Sequence, residues 1–147
     1  MSLRNRLSDD MKLAMKSKDK FRLSVIRMVR SSIQNTEIDK KAELNDDEIL
    51  EVLTREVKQR KDSLQEFKNA NRDDLVTKLE QEIAVLMDYM PEQLTEAEIE
   101  TLVQEAVAET GASSKKDMGK VMQRLMDKVK GKADGKVVNQ IVQKFLQ

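Results

Sequence analysis

The single proline of the chain fixes where its longest apolar-periodic segment must stop being helical. Pro91 lies in the segment YMPEQL (residues 89–94), directly after that segment. Proline has no backbone N–H, and its ring disfavours the helical conformation in the residue before it. The sequence therefore predicts that the preceding helix ends at Met90.

A new helix begins almost at once on the other side of the proline. Thr95 and Glu98 form the Thr-x-x-Glu pattern of a capping box, in which each side chain satisfies a free backbone N–H of the other. A chain of 147 residues can form one ordinary domain or two small ones. We predict two domains, residues 1–90 and residues 91–147.

Composition and spacing favour helix along nearly the whole chain. Four glycines and one proline accompany abundant Lys, Glu, Leu and Gln. Apolar residues recur at helical spacing in seven stretches. These stretches are residues 3–16, 21–38, 46–69, 71–90, 96–110, 114–129 and 134–147. We predict an all-α protein in which a four-helix N-terminal bundle is followed by a three-helix tail domain.

Neither cysteine nor histidine occurs in the chain. Their absence removes disulfides, thiolate chemistry, the commonest metal ligand and the commonest general base. The sequence has no apolar run long enough to span a membrane, and its start lacks the apolar stretch of a signal peptide. We expect a cytoplasmic protein without a membrane partner, metal or cofactor, and we find no candidate catalytic residue.

Three features resemble functional sites, and a structural explanation is better for each. Asp46, Asp47 and Glu48 fall in the first turn of a helix, where the helix dipole favours carboxylates. The segment GKADGK (131–136) lacks the spacing and the Ser or Thr of a phosphate-binding loop, so we expect a helix end and a turn. Gly119 costs about 1 kcal/mol inside a helix. Either a neighbouring helix or a ligand backbone approaches it, and we expect the helix.

The formal net charge of zero hides an uneven distribution of charge. Residues 1–91 carry 18 basic and 18 acidic side chains, residues 92–111 carry six Glu and no basic residue, and residues 112–147 carry nine basic and three acidic residues. A basic surface of this kind can neutralise phosphates. The candidate contacts are Lys115, Lys116, Lys120, Arg124, Lys128, Lys130, Lys132 and Lys136.

One alternative to a nucleic-acid interface remains open at this point. The basic segment can instead be a solvated face that pairs with the acidic fifth helix. Lys116, Lys120 and Arg124 follow i,i+4 spacing and are expected to share one face of the sixth helix. Lys20, Arg27 and Arg30 form a second basic stripe, on the second helix, which we interpret as a solvated face.

Three segments resemble the GatB/YqeY family, and together with their surroundings they cover nearly the whole chain. They are RLSVIRMVRSSIQNTEID (22–39), QEIAVLMDYMPEQL (81–94) and KDMGKVMQRLMDKVKGKADGKVVNQIV (116–142). The chain resembles a stand-alone YqeY protein, similar to the C-terminal helical part and tail of the amidotransferase B subunit. The resemblance implies a four-helix domain with a three-helix tail and a link to tRNA-dependent amidation.

The resemblance also implies which activities to expect. The family's catalytic part lies in a separate domain that has no counterpart here, and the zinc-binding cysteines of some members are missing. The tail, which in the family approaches the tRNA body, is what carries over. We therefore predict a non-catalytic tRNA-binding, translation-related accessory module, with no DNA partner. The alternatives are a component of a carbon–nitrogen ligase with glutamine as amido donor, active only with an amidotransferase or synthetase partner, and a protein-interaction adaptor that uses its Met-rich grooves.

Overall fold

The computed structural model describes residues 2–146, and within that range the chain forms seven α-helices, one short 3₁₀ turn and no strand. The all-α class predicted from the sequence is confirmed. The helices form two compact units, Met1–Met90 and Pro91–Gln147. The predicted helical end at residue 147 lies outside the described residues.

The first unit contains four helices that surround one apolar core. They are α1 (Leu3–Lys16), α2 (Lys20–Lys40), α3 (Asp46–Asn69) and α4 (Asp73–Met87). Helix α1 packs along α2, α3 packs along α4, and α2 contacts both α3 and α4. The buried side chains of this core are Leu7, Val25, Ile26, Val29, Ile33, Leu44, Ile49, Val52, Leu53, Val57, Leu86 and Tyr89.

Local signals in the sequence set the ends of these helices. Asn45 and Glu48 form a complete capping box at the start of α3, with each side chain accepting from the other's backbone N–H. Lys41 ends α2 in the left-handed conformation, with φ of 55°. Ile38 follows the apolar spacing of α2 but is 65% exposed, because the core has ended before the last turn of that helix.

Helix α4 ends at Met87, three residues earlier than the sequence predicts. The N–H groups of Asp88, Tyr89 and Met90 each donate to the carbonyl three residues before, at 3.1–3.3 Å, so the chain tightens into a turn ahead of Pro91. The tighter winding rotates Tyr89 into the core, where it is almost completely buried. Its hydroxyl donates to Asp10 Oδ2 at 2.5 Å, and the Arg6 guanidinium lies 4.8 Å from the ring centre.

A buried ionic cluster connects three helices of this unit. Arg60 of α3 is only 8% exposed and pairs with Glu56 at 2.7 Å. Glu82 of α4 lies 3.8 Å from Arg60 Nε, and Ser32 of α2 donates to Glu56 at 2.8 Å. A buried guanidinium requires such partners, because an unpaired charge in this position would be costly.

The second unit contains three helices around a separate core. They are α5 (Glu96–Thr110), α6 (Met118–Val129) and α7 (Gly135–Phe145), with a 3₁₀ turn at Lys115–Asp117. Buried side chains of all three helices form this core: Ile99, Val103, Ala106, Val121, Leu125, Val129, Val138, Ile141, Val142 and Leu146. Met126, Val137 and Phe145 follow the apolar spacing but are exposed, because three short helices bury only a narrow stripe of each.

Glycines and caps fix the connections of the second unit as predicted. Thr95 and Glu98 form the capping box of α5, and Gly111 ends that helix with φ of 67°. Gly131 has φ of 74° in the turn after α6, which confirms a helix end and a turn in the GKADGK segment. The Leu94 N–H donates to the Lys132 carbonyl at 2.8 Å, so this turn anchors the segment that leads into α5.

The first prediction concerns the ionisation of Tyr89, the only tyrosine of the chain. Burial, and then the hydrogen bond to Asp10, raise the pKa of Tyr89 above its usual value. The folded state holds the phenolic proton more tightly than the unfolded chain does. The resulting contribution to the free energy of unfolding is fully present below about pH 10 and is lost as the pH rises further. Absorbance of tyrosinate in the folded protein should therefore appear only at a higher pH than in the unfolded chain.

Two matched variants separate the causes of that shift. Asp10→Asn should lower the pKa of Tyr89 without restoring the usual value, because burial remains. Asp9→Asn, at the exposed neighbouring position, should leave the titration unchanged. A normal tyrosine titration in the folded wild-type protein would contradict the buried hydrogen bond.

The second prediction concerns the independence of the first unit. Its core is formed by residues of its own four helices and the loops that join them, so we propose that residues 1–90 fold alone. The isolated fragment should unfold cooperatively in urea when helicity is followed by circular dichroism. A gradual loss of helicity would show instead that this unit requires the rest of the chain.

Candidate nucleic-acid interface

All eight predicted contact residues lie in the second unit and are exposed. They occupy four consecutive parts of the chain. Lys115 and Lys116 are in the 3₁₀ turn, and Lys130 and Lys132 are in the turn after α6. Helix α6 carries Lys120, Arg124 and Lys128, and the first turn of α7 carries Lys136.

Lys116 lies in the 3₁₀ turn before α6, so it is not on the sixth helix with Lys120 and Arg124 as predicted. The Asp117 carboxylate accepts from the Ser113 N–H at 3.0 Å, and the Asp117 N–H donates to the Ser114 carbonyl at 3.0 Å. These bonds wind residues 115–117 as a 3₁₀ turn, in which residues at i and i+4 no longer superpose. The regular i,i+4 series on α6 is Lys120, Arg124 and Lys128.

An open groove of about 580 Å³ runs between the end of α5 and α6. The α6 series lines one side of this groove, together with Gln123 and Asp127. The end of α5 contributes Glu109 and Thr110. The groove therefore contains three cations and two carboxylates, and its positive excess is smaller than that of the whole basic segment.

One ion pair crosses this groove. Arg124 Nε lies 2.7 Å from Glu109 Oε2, and both side chains are largely exposed. The hydrogen bond from Arg124 and then its charge, with a further contribution from Lys128, lower the pKa of Glu109. Water screens an exposed ion pair of this kind, so the pair is weak. Another anion can therefore replace Glu109 as the partner of Arg124.

The acidic fifth helix does not neutralise the basic segment as a whole. Lys115, Lys116, Lys120 and Lys132 make no ion pair with any residue in the described range 2–146. Lys130 and Lys136 have interactions of their own within the chain. The alternative hypothesis, in which the basic segment only pairs with α5, therefore explains Arg124 and the nearby Lys128. Most of the positive charge of the segment faces solvent.

Gly119 has open space where a helix was expected. An added Cβ at this position would meet no atom within 4 Å, so no described part of the chain requires a glycine there. The prediction that a neighbouring helix packs against Gly119 is wrong. The glycine instead leaves the surface beside Lys120 uncovered.

Sequence reasoning missed Glu109, Gln123 and Asp127 as groove residues. Their charge and helical positions are visible in the sequence, but which turn of α5 lies opposite α6 is decided by tertiary packing. Among residues 2–146, no group of three or more His, Cys, Asp or Glu side chains is placed to hold a metal ion. None of the helices in that range has both the length and the apolar character needed to cross a membrane.

The fold and the exposed basic segment define an all-α protein of two helical units with a lysine-rich tail. The family described as Yqey-like protein matches residues 4–146. The chain therefore belongs to the YqeY family, and the resemblance seen in the sequence is confirmed.

Several similar proteins carry the name "Altered inheritance of mitochondria protein 41, mitochondrial". The protein from Kluyveromyces lactis is 44% identical over 84 residues, which are 56% of this chain and 45% of the relative. That from Lachancea thermotolerans is 38% identical over 100 residues, 66% of this chain and 54% of the relative. That from Pyrenophora tritici-repentis is 37% identical over 101 residues, which are 67% of this chain and 56% of the relative. The chain spans about half the length of these relatives.

This comparison overturns the expectation of a cytoplasmic protein. The relatives are named as mitochondrial proteins, which points to mitochondria rather than the cytoplasm as the location. The physical reason for the error is that a lack of apolar stretches argues only against membrane insertion and secretion.

The third prediction concerns two of the exposed glycines of this unit, Gly111 and Gly119. Gly119→Ala should stabilise the full chain by about 0.5–1 kcal/mol, because alanine favours helix and nothing obstructs its Cβ. Gly111→Ala is the matched control, since it also meets open space but must adopt φ of 67°. That variant should lose about 1 kcal/mol or more. Urea unfolding measures both, and destabilisation by Gly119→Ala would reveal a contact that the structure lacks.

Proposed function

We propose that the chain is a non-catalytic tRNA-binding accessory module that acts through its basic tail. The observation that carries the proposal is that four exposed lysines have no ion-pair partner in the described chain: Lys115, Lys116, Lys120 and Lys132. Several uncompensated lysines on a small unit attract a polyanion, because binding to phosphates releases condensed counterions. The resemblance to the tail of tRNA-dependent amidotransferases supports tRNA as the polyanion.

The Arg124–Glu109 pair fits this proposal as an exchangeable contact. A phosphate that enters the α5–α6 groove competes with the Glu109 carboxylate for the Arg124 guanidinium, which binds both groups well. Glu109 and Asp127 also repel phosphates from the floor of the groove. Strong phosphate contacts therefore belong on the surrounding lysines, and Arg124 is a secondary contact.

The fourth prediction measures those contacts. Replacing Lys116, Lys120 and Lys132 together by Ala removes three exposed charges without breaking an ion pair in the described chain. The affinity for labelled tRNA should fall, and the slope of log affinity against log salt should decrease by about one per lost phosphate contact. Fluorescence anisotropy over a salt series gives both quantities, and circular dichroism verifies the fold.

Two controls test whether the effect is specific to the basic tail. Replacing Lys12, Lys16 and Lys78 by Ala, three exposed lysines of the first unit, removes the same net charge and should leave the slope nearly unchanged. Glu109→Gln should strengthen tRNA binding, because it removes a repulsive carboxylate and releases Arg124. If both triple variants behave alike and Glu109→Gln has no effect, the tail is not an RNA interface. The protein-interaction adaptor would then be the better hypothesis.

A further inference from the structure

A second groove, of about 740 Å³, lies between α1 and α2 in the first unit. The buried core residues Leu7 and Ile33 line it, together with Met11, which packs against the same core. Arg27 and Arg30 line it from the α2 side. Its volume falls within the range of small-molecule sites, and cationic groups border an apolar base.

The positive charge of this groove is not compensated within the described chain. Arg4 and Glu37 also line it, but they pair with each other at 2.5 Å and so cancel. The hydrogen bond from the Leu44 N–H and then that from Arg4 lower the pKa of Glu37, so its carboxylate is already satisfied. Neither Arg27 nor Arg30 forms an ion pair with a residue in the range 2–146. The groove therefore has an excess of two positive charges.

Most other arginines of this unit donate to oxygen acceptors. Arg6 donates to the Asp88 carbonyl, Arg22 pairs with the Asp88 carboxylate, and Arg60 pairs with Glu56. Arg30 instead directs Nη1 at the sulfur of Met11, 2.8 Å away. A thioether is a weak acceptor, and a guanidinium has five N–H donors, so most of the hydrogen-bonding capacity of Arg30 is unused.

We propose that the α1–α2 groove binds the phosphate of a nucleotide-sized phosphomonoester. Arg27 and Arg30 are three residues apart and therefore neighbours on one face of α2. Two guanidinium groups match the charge of a phosphomonoester dianion and can bind its oxygens through paired N–H groups. Asn5, Ser8 and Gln34 also line the groove and offer hydrogen bonds to the uncharged body of the ligand. A free mononucleotide and the 5′-phosphorylated end of an RNA share this chemistry.

The test uses the full chain labelled at the methionine methyl groups, with AMP as the probe. The Met11 methyl signal should shift on addition of AMP, whereas that of Met126, exposed in the second unit, should not. Adenosine, which lacks the phosphate, should produce at least tenfold weaker binding. A short RNA with and without its 5′-phosphate distinguishes the two sources of the ligand, since only the phosphorylated form should move Met11.

Arginine variants complete the test. Arg27→Gln and Arg30→Gln should each weaken AMP binding about tenfold or more, the range expected for loss of a charged hydrogen bond. Arg55→Gln is the matched control, because Arg55 is exposed on α3 without an ion pair and lies outside the groove. If neither AMP nor the 5′-phosphorylated RNA shifts Met11 in the wild-type protein, or if adenosine binds as well as AMP, the proposal is wrong. Equal losses in all three arginine variants would also overturn it. The Lys116, Lys120 and Lys132 variant should bind AMP normally, which separates this site from the proposed tRNA interface.

Discussion

The turn that precedes Pro91 is the constraint on which the first unit most depends. Because a residue before proline is disfavoured in the helical conformation, α4 tightens over its last residues and Tyr89 turns into the core. Its hydroxyl then reaches Asp10 of α1, while Asp88 receives Arg6 of α1 and Arg22 of α2. One local backbone restriction thus connects the end of the last helix to the first two. The same proline leaves the chain free to begin the second unit with a new capping box.

The chain uses charge in two different ways. Where arginine is needed to connect helices, it is given carboxylate or carbonyl partners, as with Arg60 in the α2–α3–α4 cluster and Arg22 at Asp88. Such buried or half-buried pairs fix which faces of the helices meet, even where their net stabilisation is small. Elsewhere, several arginine and lysine side chains have no ion-pair partner in the described chain. They include Lys115, Lys116, Lys120 and Lys132 of the basic tail and Arg27 and Arg30 at the α1–α2 groove.

How much of this the sequence predicts depends on whether a signal is local or tertiary. Capping boxes at Asn45 and Thr95, and the glycine end at Gly111, are local hydrogen-bonding patterns, and they predict the helix ends almost to the residue. The 3₁₀ turn at Lys115–Asp117 was missed, because it depends on the Asp117 carboxylate bonding backward to Ser113. Periodicity also predicts more buried residues than the second unit contains, because it does not indicate how wide an apolar stripe three short helices bury.

The candidate surfaces show the same division more sharply. All eight basic residues of the tail are visible in the sequence and all are exposed, yet the groove that some of them line also requires Glu109 from another helix. For the α1–α2 groove, periodicity alone indicates that Arg27 and Arg30 belong to a solvated face of α2. Only the packing of α1 against α2 places Met11 beside Arg30 and pairs Arg4 with Glu37.

Bulk charge is therefore a poor guide to function in this chain. The first unit carries equal numbers of basic and acidic side chains, and the six-charge deficit and excess of the second unit cancel as well. Both units are formally neutral, and neither composition would suggest an anion-binding surface. What matters is which charges already have partners, because a side chain that is paired within the fold contributes little attraction to a ligand. At Arg4 and Arg60 the fold has used the charge internally, whereas at Arg27, Arg30 and four tail lysines (Lys115, Lys116, Lys120 and Lys132) it has left that charge available to an external anion.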